Sequence, residues 1–373
     1  MSETPSENNG FEEPGSGKQG KIKKWQIALI VVLGLALVGV SVWQTWVKPA
    51  ISKPISATLD LSSDPNVSVS TITPTFYVPT PTVVDPNSIF TPTPALKCGE
   101  DHVWNLMLVG IDERATDYYY GLADVIRIAR INFADMTVNM VALPRDMVVT
   151  FPEGLFATEN PIKINQGYFF GTIGMTDSGD FNSGANSLAQ VIQYNFGITV
   201  DHYMVVNMNA VENFIDSIGG VDVDLPVSVT DEERPNFGSF PAGRQHLDGE
   251  EALNLMRIRA NYGDDFRIGN QSIVIKSILQ RFLIAENIAQ VPDLIRDFFS
   301  SFLTDLSIEQ LTNTTVCFLT NFKLEDYHST QVPKELMVEG WEFIPSNYGS
   351  SYVYRWDQNT VEWIHQNLEA QSQ

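Results

Sequence analysis

From Trp25 to Val47 the chain runs WQIALIVVLGLALVGVSVWQTWV, 23 residues without a charge. A helix needs roughly 20 apolar residues to cross a ~30 Å hydrocarbon layer, and interfacial tryptophans mark its ends. Trp25 stands at one end, Trp43 and Trp46 at the other. The pattern predicts one transmembrane helix over 25–47. A buried core helix and a cleaved signal peptide are the alternatives. The run exceeds a signal core of ~7–15 residues, and no small-x-small cleavage site interrupts it. Lys18, Lys21, Lys23 and Lys24 precede it, so the positive-inside rule places residues 1–24 in the cytoplasm and the rest outside.

Beyond Lys48 the hydrophobic pattern breaks up. Residues 48–97 are rich in Ser, Thr and Pro, as in TPTFYVPTPTVV and FTPTP, and predict an extended extracellular linker. Apolar runs then end in polar loops at VWNLMLVGID (103–112) and TVNMVALPRD (137–146), with DVIRIARIN (124–132) between them and HYMVVNM at 202–208. These read as buried strands feeding a site. Leu188, Val191, Ile192 and Phe196 recur at helical spacing before Gly197. Val211, Phe214, Ile215 and Ile218 do the same, with Asn209 as cap and Gly219 as stop. Asp248 with Glu251 opens a helix expected to end near Met256, and Ser307 with Gln310 forms another capping box. Amphipathic helices are expected over Gln271–Ala289 and Pro292–Leu306, strands at TVCFL and YVYRW, and a closing helix over 360–369. The result is an α/β fold, a central mixed β-sheet flanked by helices. Residues 98–306 form the main domain and 307–373 a C-terminal extension packed on it.

Composition adds charge. Acidic residues outnumber basic ones 45 to 23, for a net −22. Glu3, Glu7, Glu12 and Glu13 cancel the four N-terminal lysines, so the whole excess lies in the exterior part. Such a surface disfavours nucleic acid and bare anionic lipid. Five histidines form no HExxH-type cluster. Cys98 and Cys317 lie in the exterior part, where they are either disulfide-bonded or two thiols.

Against that acidic background several residues suit phosphate chemistry. Asp112 and Asp124 end neighbouring strands, where two carboxylates can share a hard cation with a phosphate; turn or cap roles are the alternative. Arg145, Arg257, Arg259 and Arg267 carry the planar fork that grips phosphate, or else form surface ion pairs. Gln271 is placed at a helix start beside Arg267, and Lys163 in PIKINQGYF can reach an anion or only water. Val191, Ile192, Phe214, Ile218, Ile278 and Phe282 offer an apolar trough, or plain core packing.

The order of these pieces is more specific than any one of them. NLMLVGIDER, GLADVIRIARIN, ALPRDMVV, KINQGYFFG, IDSIGGVDVDLP, QHLDGEEALNLMRIR and DDFRIGNQ, over residues 103–282, resemble the LytR–CpsA–Psr family of bacterial envelope proteins. The resemblance implies an α-β-α sandwich and a membrane-anchored, extracellular phosphotransferase. It would use magnesium to move a glycan polymer from a polyprenyl-pyrophosphate carrier onto peptidoglycan or a similar wall acceptor. Carried over, Asp112 and Asp124 hold magnesium, and Arg145, Arg257, Arg259 and Arg267 hold the pyrophosphate with Gln271 beside them. Asp264 orients an arginine or accepts a proton, and Asp124→Ala abolishes activity with the fold intact. Two positions depart from the family pattern: Leu122 and Asn270 stand where arginines are usual. Arg114 or Arg127 is then a candidate replacement, and a non-catalytic binding scaffold or sensor, or a pyrophosphatase, are the rival functions.

Overall fold

Strand periodicity of two puts alternate residues of each central strand on opposite sheet faces, and both faces are apolar here. The computed structural model describes residues 102–112, 121–152, 160–172, 182–259, 263–283 and 302–370. The run 25–47, the linker, Cys98 and Arg114 lie outside them. Among the described residues no helix is long and apolar enough to cross a membrane.

The first strands are β1 (Val103–Ile111), β2 (Ala123–Asn132), β3 (Thr137–Ala142), β4 (Val148–Val149) and β5 (Ile162–Lys163). A short turn of helix, α1 (Gln166–Phe169), precedes α2 (Asn182–Phe196), β6 (His202–Val206) and α3 (Met208–Ser217). Strands β7 (Val221–Leu225), β8 (Val229–Thr230), β9 (Ser239–Phe240) and β10 (Gly243–Leu247) lead to α4 (Gly249–Arg257) and α5 (Asp264–Phe282). The chain closes with β11 (Phe302–Thr304), α6 (Ile308–Asn321), β12 (Tyr327–Gln331), β13 (Met337–Ile344), β14 (Gly349–Trp356) and α7 (Gln358–Glu369).

Six strands form the central sheet in the order β11-β6-β1-β2-β3-β12. β1–β2, β2–β3 and β11–β6 are antiparallel, whereas β1–β6 and β3–β12 are parallel, so the sheet is mixed as expected. Met107, Val109, Ile126 and Ile128 bury one face against α2 and α7. Trp104, Ala129 and Ile131 bury the other against α6 and the apolar side of α5. A third cluster joins α3, α4 and α5 to the β7–β10 hairpin. Val191 and Ile192 belong to the first cluster and Ile218 to the third, so plain core packing accounts for these three. Cys317 is buried and disulfide-bonded, and the chain's other cysteine is Cys98.

Several boundaries differ from the sequence reading. Asn207, not Asn209, caps α3, its side chain accepting from the Ala210 N–H at 2.8 Å, because β6 ends at Val206 and leaves no spacer. TVCFL lies inside α6: the Ser307–Gln310 capping box commits the chain to helix, and a short apolar run has no period of its own. Phe302–Thr304 is strand rather than helix because it adds an edge to β6. Helix α5 starts at Asp264, seven residues before Gln271, after Gly263 at φ +82°.

Candidate functional site

One edge of the sheet gathers the chemistry. β1 ends, β2 begins and β3 ends at the same side, which brings together Asp112, Asp124 and the loop carrying Arg145. Asp112 and Leu122 exchange backbone hydrogen bonds at 3.3 Å and 3.0 Å, the second into the Asp112 carboxylate. The segment with Lys163 is stitched on through the Asn165 backbone, which accepts from Ala123 and donates to Arg145.

Asp124 is the hub. Its Oδ1 accepts from Arg145 Nη1, and its Oδ2 lies 3.4 Å from Arg267 Nη1 and 3.7 Å from Arg259 Nη2. Asp264, in the first turn of α5, forms a second hub: 2.9 Å from Arg267 Nη2 and 3.8 Å from both Arg145 Nε and Arg259 Nε. It is therefore an arginine-orienting group. Asp146, which the sequence reading passed over, sits 3.5 Å from Arg145 Nε and 2.8 Å from Lys163 Nζ, so it joins the lysine to the web. The only sequence signal for it was its place next to Arg145.

Two predicted partners take other positions. Arg257, the last residue of α4, lies over the Phe237 ring, 4.7 Å from its centroid, where Arg234 also packs. Helix α4 ends one residue later than expected, and Ile258 turns extended, so Arg257 and Arg259 take different neighbours. Gln271 is not at a helix start. It lies two turns into α5, lines a narrow recess with Asp124, Arg145 and Arg267, and donates to the Met256 carbonyl at 3.3 Å. Asn270 reaches the Leu255 carbonyl instead, at 3.5 Å. Both amides bind α4 to α5.

Arg127 is fully buried beneath this recess. It donates to the Ser272 and Ser329 hydroxyls and the Ile268 carbonyl, and makes no ion pair with a described carboxylate. Burial pulls its guanidinium down to about 10, still charged at neutral pH. Burial also lowers Arg259 and Arg267. At Arg145 burial acts downward too, but Asp124, Asp146 and Asp264 together outweigh it and hold the charge more firmly. The Nε atoms of Arg127, Arg145, Arg259 and Arg267 are buried without a hydrogen-bond acceptor. Arg145 Nε lies 3.5 Å from an Asp146 oxygen without forming a hydrogen bond to it. Buried donors are rarely left so, and four together in one region fit an anion with several oxygens.

Burial, then the neighbouring Asp124 charge, raises the Asp112 carboxyl above its ordinary value. Two carboxylates that repel each other suit a divalent ion, and magnesium usually takes one or two carboxylates plus phosphate oxygens. Among the described residues no set of three or more His, Cys, Asp or Glu could hold a metal by itself. The ionised form of Asp112 costs stability, and that cost builds as pH rises from the ordinary carboxyl value and is complete above the raised one. Asp112→Asn is therefore expected to raise Tm at neutral pH without divalent ions, and the gain should vanish in acid where Asp112 is protonated. Magnesium should raise the wild-type Tm and leave the variant's unchanged; thermal melts with magnesium and with chelator decide it.

Fold and site thus define a mixed α/β protein with an arginine–carboxylate web at the strand ends of its central sheet. The chain belongs to the LytR_cpsA_psr family, whose model matches residues 84–370. It is 26% identical over 214 residues to the polyisoprenyl-teichoic acid–peptidoglycan teichoic acid transferase TagV of Bacillus subtilis, covering 56% of this chain and 51% of that one. The Enterococcus faecalis TagU transferase is 25% identical over 272 residues, 72% of this chain and 79% of TagU. The chain thus spans about half the length of TagV. The crystal structure of B. subtilis TagV superposes with a TM-score of 0.56 at 21% identity, over 73% of this chain and all of that one, and shares the fold.

Proposed function

We propose that this protein transfers a glycan polymer from a polyprenyl-diphosphate carrier to a hydroxyl of peptidoglycan or a similar wall polymer. The observation that carries this reading is the group of buried arginine Nε donors lacking acceptors around Asp124 and Asp264. The names of the relatives support the substrate class. In this reading the run 25–47 anchors the chain by a single span, with the domain outside the cell beside a lipid-borne substrate.

Phosphoryl transfer asks the protein for alignment and charge stabilisation more than for a reactive side chain. Arg145, Arg259 and Arg267 clamp the diphosphate oxygens, each held in direction by Asp124 or Asp264. The acceptor oxygen forms a bond to the phosphorus nearest the glycan. The bridging P–O bond breaks, and the hydroxyl proton ends on the departing polyprenyl phosphate. The web is close to charge balance, Arg145, Lys163, Arg259 and Arg267 facing Asp112, Asp124, Asp146 and Asp264. A diphosphate therefore calls for a cation to accompany it. Asp112 and Asp124 would hold magnesium, which neutralises charge on the transferring group. Half-buried Leu106, Leu108, Met204 and Val206 share an apolar cluster with Ile275 and Leu279 of α5 and would give the isoprenoid its apolar surface.

The test incubates the full chain in detergent with a polyprenyl-diphosphate-linked glycan, purified peptidoglycan and magnesium. Expected products are polymer bound covalently to peptidoglycan and free polyprenyl phosphate. Release of the glycan to water with or without peptidoglycan would make the protein a pyrophosphatase. Binding without turnover would make it a scaffold.

A further inference from the structure

The hairpin of β13 and β14 carries an unusual face. Glu339, Trp341 and Phe343 alternate along β13, and their cross-strand partners are Tyr354, Tyr352 and Ser350. Residues paired in this way share one side of the ribbon. Trp341 is 74% and Phe343 62% exposed, while Tyr352 is half-buried and Tyr354 buried. The rings form a row: Trp341 to Tyr352 at 6.1 Å between centroids, Tyr352 to Tyr354 at 5.5 Å. Glu339, opposite Tyr354, puts a carboxylate at the end of this row.

The buried end of this row meets the site. Tyr354 N–H donates to the Asp146 carbonyl at 3.0 Å and pairs with Met147 as a β-bridge. The hairpin tip is fastened beside Lys163 by Gln166, whose amide contacts Ser346 and Asn347 and accepts from the Lys163 N–H. Tyr352 and Tyr354 pack with the apolar cluster on one sheet face, and Leu106, Leu108, Met204 and Val206 belong to the cluster on the other.

We propose that the Trp341–Phe343–Tyr352 face is the docking platform for the saccharide strand of the wall acceptor, a neutral-faced pyranose chain whose hydroxyl it leads to the diphosphate. Large exposed aromatics mark an interaction surface. Rings edged by hydroxyls and a carboxylate match a sugar, which shows C–H bonds on its faces and O–H groups at its rim; Tyr and Trp serve where one end is apolar and the other wet. A membrane is a poor match. A membrane-surface element needs basic residues, and this hairpin holds Glu339 and Glu342 against Arg355, itself paired to Glu342 at 2.9 Å. A second copy would bring two chains of net charge −22 together. The donor polymer arrives with its lipid on the cluster of Leu106, Leu108, Met204 and Val206, and in-line displacement puts the acceptor opposite the leaving group. The hairpin approaches from that opposite face.

This inference rests on the transfer reading, and its test separates the two. The full chain in detergent is sedimented with peptidoglycan sacculi stripped of attached polymers, and its binding to a polyprenyl diphosphate is titrated in parallel. Trp341→Ala with Phe343→Ala is expected to cut sacculus retention at least tenfold, with Tm and diphosphate binding kept; Arg267→Lys should do the reverse. Unchanged retention overturns the platform. So does a Trp341-dependent gain of binding to phosphatidylglycerol–cardiolipin vesicles without sacculus binding, or a dimer that the double variant dissolves. If the wild type binds sacculi through Trp341 but not the diphosphate, the platform stands and the transfer reading falls.

Discussion

Arg267→Ala is expected to abolish transfer and lower stability together. Arg267 is 3% exposed and its fork bridges Asp124 and Asp264, themselves 22% and 10% exposed. Removing it takes the most buried cation from two partly desolvated carboxylates and leaves Arg145 and Arg259 to balance them. Breaking a buried pair from one side costs about 3–5 kcal/mol, which for a domain of this size corresponds to a Tm fall of roughly 10 °C. Arg267→Lys separates the two effects. The ammonium keeps a positive charge near both carboxylates, so most of the Tm should return. It lacks the planar fork, so transfer should stay down by about 100-fold, the order seen when one preorganised donor is lost. Full transfer by Arg267→Lys would mean that charge alone, not the guanidinium geometry, does the work.

Asp124→Asn is the second large effect. A metal ligand alone could be exchanged with the fold intact, which is what the sequence suggests. The structure changes that expectation, because Asp124 is also the shared counter-ion of Arg145, Arg259 and Arg267. Without its charge three guanidinium groups lean on Asp264 and Asp146. The loss should be about 2–3 kcal/mol, below the ~3–5 of a fully buried pair because Asp124 is partly exposed. Inorganic pyrophosphate without magnesium should raise the variant's Tm more than the wild type's, since the anion restores the missing charge. A variant that melts like the wild type and ignores pyrophosphate would remove Asp124 from the hub.

Local patterning carried much of the molecule. Asp112, Asp124 and Arg145 could be placed at strand ends because a buried strand shows as an apolar run that stops at a polar loop. The helix around Asp264 was hidden for the opposite reason. Arg267, Asn270 and Gln271 are polar yet buried, so hydrophobic periodicity does not register the first two turns of α5. Arg127 was a candidate replacement for a missing arginine only by its charge, and packing under α5 shows it as an interior cation. The edge strand β12 pairs in parallel with β3 almost two hundred residues earlier, and a connection of that length leaves no local signal.

By itself the sequence determined β1, β2, β3 and β6, the capping boxes that open α4 and α6, the order of the motifs and the net negative charge, since each depends on residue identities or on neighbours within a turn or two. The tertiary structure alone decided which charges meet. Arg145 and Arg267 reach one carboxylate from elements over a hundred residues apart, and Arg257 packs over the Phe237 ring. Coulomb and hydrogen-bond energies change within an ångström or two, and those separations are set by sheet register and helix packing rather than by spacing along the chain.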